Sequence, residues 1–236
     1  MGLRDYTFRT SYNKAEHNIA DDFYLPCMRN AKFYDRVSGY FGSTIYIIAW
    51  EALRKFIENG GKMRIICSQY LSEEDKTALS DGYSAKNDEI LANALTKEVQ
   101  ALFENPYLTA PAKLLAYMIS QEIIDIKIAI PSGDESPNAN RLFHDKVGIF
   151  TDSAGNKVGF RGSMNETFKG LSSDGNIESI DVFPNWLDSR DAERVANAAC
   201  FFEKLWAATV PGITVYNFPD TPKEILRAKS QDVNWH

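Results

Sequence analysis

Apolar positions along this chain alternate between the period of a helix and the period of a strand. Between Asn18 and Ala31, Ile19, Phe23 and Cys27 fall four apart, which predicts a short helix whose second half Pro26 disturbs. Asp35 to Phe41 reads as a strand ending near Gly42. Ser43 is placed to cap a helix through Asn59, with Ile47, Leu53 and Ile57 inward and Gly60-Gly61 as its stop. Lys62 to Ser68 alternates, with Met63, Ile65 and Cys67 on one side, so it reads as a strand. Strand, helix, strand with short turns is a βαβ unit and implies parallel pairing. Beyond it, Ser72-Glu73-Glu74-Asp75 opens a short helix. Residues 85–104 (Ile90, Ala94, Leu95) and 110–122 (Leu114, Leu115, Met118, Ile119) carry helical spacing, Ile124 to Ile130 a strand, and Pro131 to Asn140 a loop.

From Leu142 the pattern changes to closely spaced strands. Phe143 to Phe150 and Lys157 to Arg161 flank the turn formers Asp152-Ser153-Ala154-Gly155-Asn156, a hairpin. Asn176 to Phe183 is a further strand. Asp188 or Ser189 caps a long helix to Ala208, its Val195, Ala199, Phe202, Trp206 stripe facing the core. The organisation is therefore α/β, with residues 1–210 as one domain. Residues 211–236, which include Pro219 and Pro222, read as a linker-like tail leading toward a further domain.

Composition narrows the function classes. With 26 Lys+Arg against 32 Asp+Glu the formal charge is −6, and 44% hydrophobic residues suit an ordinary globular core rather than a disordered or disulfide-dense chain. The longest aliphatic and aromatic run, Ile45 to Trp50, falls far short of the roughly 20 residues that a bilayer crossing needs. Cys27, Cys67 and Cys200 form no Cys-x-x-Cys pair, which predicts reduced thiols and a cytoplasmic setting. Besides them only His17, His144 and His236 are available, so no zinc-type ligand set is expected. Proteins that coat nucleic acid nonspecifically carry a positive excess. An acidic chain must contact it locally or through a partner.

The chemistry concentrates in Phe143-His144-Asp145-Lys146 and in Arg161-Gly162-Ser163-Met164-Asn165. On a strand, His144 and Lys146 share a face, and the hairpin returns Ser163 and Asn165 beside them. Thirteen positions after Asn165 comes Glu178, between the apolar Ile177 and Ile180. An imidazole can attack phosphorus while Lys146 and Asn165 hold the non-bridging oxygens, and Glu178 can accept a hydrogen bond from the ring nitrogen not in use. Nothing in this set calls for a metal or other cofactor. Arg141, Arg161 and Lys169 stand near it as candidate phosphate contacts.

These residues resemble the signature of the phospholipase D superfamily, His-x-Lys followed by Gly-Ser-x-Asn, here His144-Asp145-Lys146 and Gly162-Ser163-Met164-Asn165. Glu178 is similar to the carboxylate of its single-motif nuclease branch, and Val37-Ser38-Gly39-Tyr40-Phe41 looks like the start of such domains in bacterial helicase and restriction proteins. The resemblance implies a mixed, largely parallel sheet with helices on both faces. It also implies two His-x-Lys motifs per site, one imidazole as nucleophile and one as acid. This chain holds one, so a two-fold homodimer sharing a site is expected.

The function this implies is a metal-independent phosphodiesterase cutting DNA, or RNA as the alternative nucleic acid, through a phosphohistidine in a restriction or phage-defence system. A helicase or other defence subunit is the expected further partner, and no membrane partner is. Two alternatives stand beside it. One is a catalytically idle nucleic-acid-binding or dimerisation module of a larger complex, and the other is a phospholipase of the same chemistry.

Overall fold

Eight strands of the described residues join in one sheet, ordered β1-β7-β6-β5-β2-β3-β4-β8. The computed structural model describes residues 2–68, 109–131 and 143–217, with scattered positions between 77 and 97. The strands are β1 (Ser11–Asn13), β2 (Phe33–Ser38), β3 (Lys62–Cys67), β4 (Ile124–Pro131), β5 (Val147–Thr151), β6 (Lys157–Gly162), β7 (Ser179–Pro184) and β8 (Ile213–Asn217). The α/β class and the mixed sheet match expectation, and the pairing directions refine it. β2–β3 and β3–β4 are parallel, while the other five pairings are antiparallel. The reason lies in the connections. β2 and β3 are bridged by a crossover helix, α2 (Tyr46–Glu58), whereas β5 and β6 are joined by a hairpin that reverses the chain.

Both faces of the sheet are covered. Tyr34, Phe150 and Phe160 line one face and meet Phe23 and Tyr24, with the Tyr34 and Phe150 rings stacked 4.2 Å apart. Helix α1 (Leu25–Asn30), α2 and α3 (Thr109–Ser120) pack on this side. A short helix α4 (Phe168–Leu171) follows the Gly-Ser-x-Asn motif. The opposite face, through Val37, Ile66, Val147 and Ile149, lies under Ala198, Phe202 and Leu205 of α5 (Ser189–Trp206). Asp188 caps α5 by accepting the Asp191 N–H at 2.8 Å, as its sequence position implies.

Several boundaries differ from the sequence reading for local reasons. The turn Ala20–Tyr24 is widened to π geometry just before α1, where Pro26 has no N–H to give the carbonyl four residues back. Because Ser43–Ile45 is a tighter 3-10 turn, α2 begins later than expected. Tyr46, Ala49, Ala52, Leu53 and Phe56 are buried, while Ile47 faces out. The helix stops where expected, Gly60 taking φ +67°. Residues 213–217, expected in a tail, form the edge strand β8, since Ile213 and Val215 pack against the α5 side of the core. The helices expected from Ser72 and over most of 85–104, the loop after Pro131, and the Pro219–Pro222 stretch lie outside the described residues.

The hairpin turn is built around Asp152. Its carboxylate accepts the N–H groups of Leu3, Ala154 and Asn156 and the Asn156 side chain, tying the start of the chain to the turn. Burial alone would raise its pKa, but the hydrogen bonds from Asn156, Leu3 and Ala154 outweigh it and hold the group below the ordinary aspartate value. A depressed carboxylate stabilises the fold above its unfolded pKa and loses that contribution as pH falls through the folded value. Asp152→Asn is therefore expected to cost about 1.5–3 kcal/mol at neutral pH. In urea titrations the gap from wild type should close on acidification, and a gap that stays constant with pH would mean that the charge contributes nothing.

Candidate active site

The site lies where β2 and β6 end and β5 begins. Phe143 to Lys146 are not yet in the ladder, so His144 and Lys146 stand on the extended lead into β5 rather than within a strand as the spacing suggested. Their shared side survives that change. The Lys146 ammonium lies 3.1 Å from Nδ1 and 2.9 Å from Nε2 of His144 and 3.3 Å from the His144 carbonyl. A neutral imidazole has one lone-pair nitrogen, so one of the two ring contacts at a time is a hydrogen bond. The imidazole is exposed while Lys146 is buried. Burial, aided by the nearby Arg36 charge and opposed by Glu178 and Asp145, holds the lysine pKa below its usual value.

Gly39, just past β2, is the floor on which these groups meet. A methyl group at its Cα would lie 3.0 Å from His144 Cδ2 and 3.3 Å from both Asn165 Oδ1 and Lys146 Nζ. Glycine permits this approach, and any side chain would fill the space between the three groups. Asn165 Oδ1 accepts the Tyr40 N–H at 3.0 Å. With the oxygen committed to a backbone donor, the Nδ2 hydrogens are what the amide offers to a ligand.

Gly162 is required for the second half of the motif, since a Cβ there would lie 2.0 Å from the Ser179 carbonyl oxygen. The close approach joins Ser163 to the first residue of β7. Its N–H donates to Ser179 O at 3.0 Å, and its Oγ accepts the Ser179 N–H at 3.1 Å. The same hydroxyl donates to Glu178 Oε2. Glu178 precedes β7 instead of lying within it, and Ile177 beside it is exposed. The hydrogen bond expected between Glu178 and His144 is absent among the described residues. Glu178 takes the Ser163 hydroxyl and, at 3.4 Å, the Asn176 amide, and the imidazole is drawn to Lys146.

The candidate phosphate contacts do not gather in the same way. Arg161 pairs in register with Val147, on the α5 side of the sheet, and its guanidinium meets Asp145 at 3.3 Å. Lys169 is exposed on α4, and Arg141 lies outside the described residues.

A buried polar cluster under the site had no place in the sequence reading. Arg36, on β2, donates through Nε to Glu166 Oε2 at 2.9 Å and through Nη2 to the Met164 carbonyl. Glu166 also accepts the Tyr24 and Tyr34 hydroxyls, and its N–H donates to Ser38 Oγ at 3.0 Å. Both residues are almost wholly buried. Burial first, then the Glu166 charge, holds both phenols well above their usual pKa and so protonated. The residues on either side of Asn165 are thereby anchored from below. The available signal was Arg36 itself, a charge within an otherwise strand-like run, but both faces of a central strand are covered and parity does not say which way it points.

Neither a protein-family model nor a curated protein matches the sequence. Among solved structures, the chain is similar to NucT from Helicobacter pylori, with a TM-score of 0.48 and 13% identity over 87% of this chain and 97% of that one. It is similar also to Nuc from Salmonella typhimurium, a phospholipase D family member, with a TM-score of 0.39 and 13% identity over 82% and 88%. A third is phosphatidylserine synthase from Haemophilus influenzae Rd KW20, with a TM-score of 0.40 and 9% identity over 89% of this chain and 42% of that one.

Proposed function

We propose that this protein is a phosphodiesterase that cleaves DNA through a phosphohistidine on His144, in a restriction or phage-defence setting. The observation that carries the reading is the convergence of an exposed imidazole, a buried ammonium and an oriented amide on the bare Cα of Gly39. A phosphate group seated there meets a nucleophile and two donors for its non-bridging oxygens. The motif resemblance supports the same chemistry.

On this reading a neutral His144 nitrogen bonds to phosphorus as the bond to one ester oxygen breaks. That oxygen takes a proton from the imidazolium of a second copy's His144, supplied by a two-fold dimer. Water then attacks phosphorus and gives its proton to the second imidazole, and the phosphorus–nitrogen bond breaks to restore the first. Lys146 and the Asn165 Nδ2 hydrogens hold the charge that builds on phosphorus-bound oxygen.

The test presents the whole chain with labelled duplex DNA, single-stranded DNA, RNA and phosphatidylcholine vesicles, each with excess chelator. Cleavage of DNA with a rate independent of chelator is the expected result. Cleavage of RNA or lipid alone would replace the substrate class, and no turnover of any of them would leave the idle-module reading in its place.

A further inference from the structure

An ammonium group has three N–H donors, and Lys14, just past β1, finds a carbonyl for each. Its Nζ lies 3.1 Å from Lys169 O, 2.9 Å from Gly170 O and 3.0 Å from Asn176 O. Its own N–H donates to the Glu178 carbonyl at 2.9 Å. Lys169 and Gly170 belong to α4, whose last carbonyls lack intrahelical partners and favour a cation. Asn176 is two residues from Glu178. The loop between them is tight. Asn176 N–H donates to Lys169 O at 2.9 Å, and a Cβ on Gly175 would lie 2.1 Å from that same oxygen.

We infer that Lys14 is a positioning residue for Glu178, clamping the loop that leaves the Gly-Ser-x-Asn motif so that the carboxylate is presented to Ser163. This rests on the function proposed above. With all three donors committed to backbone oxygens, Lys14 is not a phosphate contact, although it is a basic residue close to the site. Burial lowers its pKa against the opposing pull of Glu178, and Glu178 acts in the same sense on Lys146. Glu178 thus sits in the field of two ammoniums, one that holds its loop and one that serves the site.

Two independent readouts test the clamp on the full-length chain. Lys14→Met is expected to raise amide hydrogen exchange across residues 169–179 while leaving β2–β4 protected, a result that does not depend on any activity. In DNA cleavage it should lower kcat by roughly 10–100-fold with KM changed by less than about 2-fold, the pattern of a lost orienting contact. The double variant with Glu178→Gln should be no slower than Glu178→Gln alone, because Lys14 acts through that carboxylate. Lys14→Arg, which keeps the charge and several donors, should recover part of the rate. Additive losses in the double variant, or unchanged exchange over 169–179, would overturn the inference. Wild-type protein that cleaves nothing would overturn the proposed function while the exchange result still decides the clamp.

Discussion

Replacing His144 by alanine is expected to lower DNA cleavage by about a thousandfold or more while leaving the thermal midpoint where it was. The first half follows from the role proposed for it, since removal of the proposed nucleophile would leave only the binding and oxygen-stabilising contacts proposed for Lys146 and Asn165. The second half follows from exposure. The imidazole is outside the core, and surface changes typically shift stability by less than about 0.5 kcal/mol. A rate close to wild type would remove the imidazole from the mechanism. The same variant tests the proposal that two copies share a site. If two copies share one site as proposed, mixed dimers carrying one His144→Ala copy have lost either nucleophile or acid, so titrating the variant into wild type should depress activity steeply. Near-full activity in the mixed dimers would show that each copy works alone.

The second large effect concerns the ion pair under the site. Glu166→Gln keeps the shape but strands the Arg36 guanidinium, whose Nη1 already has no hydrogen-bond partner among the described residues. An uncompensated buried charge costs about 3–5 kcal/mol, so the urea midpoint should fall sharply. Arg36→Met should cost a similar amount, softened by the Tyr24 and Tyr34 hydroxyls that still serve the carboxylate. The double variant Arg36→Met, Glu166→Leu should cost clearly less than the two singles together, because no charge is then left alone. Its cleavage rate should nonetheless stay low, since the Met164 carbonyl then loses its Arg36 donor and position 166 its tyrosine contacts, so the backbone around Asn165 is less firmly held. A loss under about 1 kcal/mol in Glu166→Gln would show that the pair is solvated rather than buried.

The candidate site was partly legible in the amino-acid order because its two motifs are held by short-range rules. His144 and Lys146 are two residues apart on extended chain, and the β5–β6 hairpin returns Ser163 and Asn165 by a local turn. Ile19, Phe23 and Cys27 were readable as one buried face for the same reason, and all three are fully buried. The misses have separate causes. Ile47 faces outward because six residues separate it from Leu53, about 240° around an α-helix, so the two do not share a face. The hydrogen bond expected between His144 and Glu178 gave way to nearer partners, Lys146 for the one and Ser163 for the other.

Alternation and turn chemistry by themselves determined the α/β class and the βαβ unit, and motif spacing singled out His144, Lys146, Ser163 and Asn165 as candidates, since each depends on neighbours a few positions apart. Tertiary structure alone decided that Gly39 lies beneath three side chains, that Arg36 meets Glu166 across 130 positions, and that Lys14 clamps a loop some 155 to 162 positions away. Those contacts depend on which strands become neighbours in the sheet, and that order is set by burial summed over both faces rather than by any local stretch of chain.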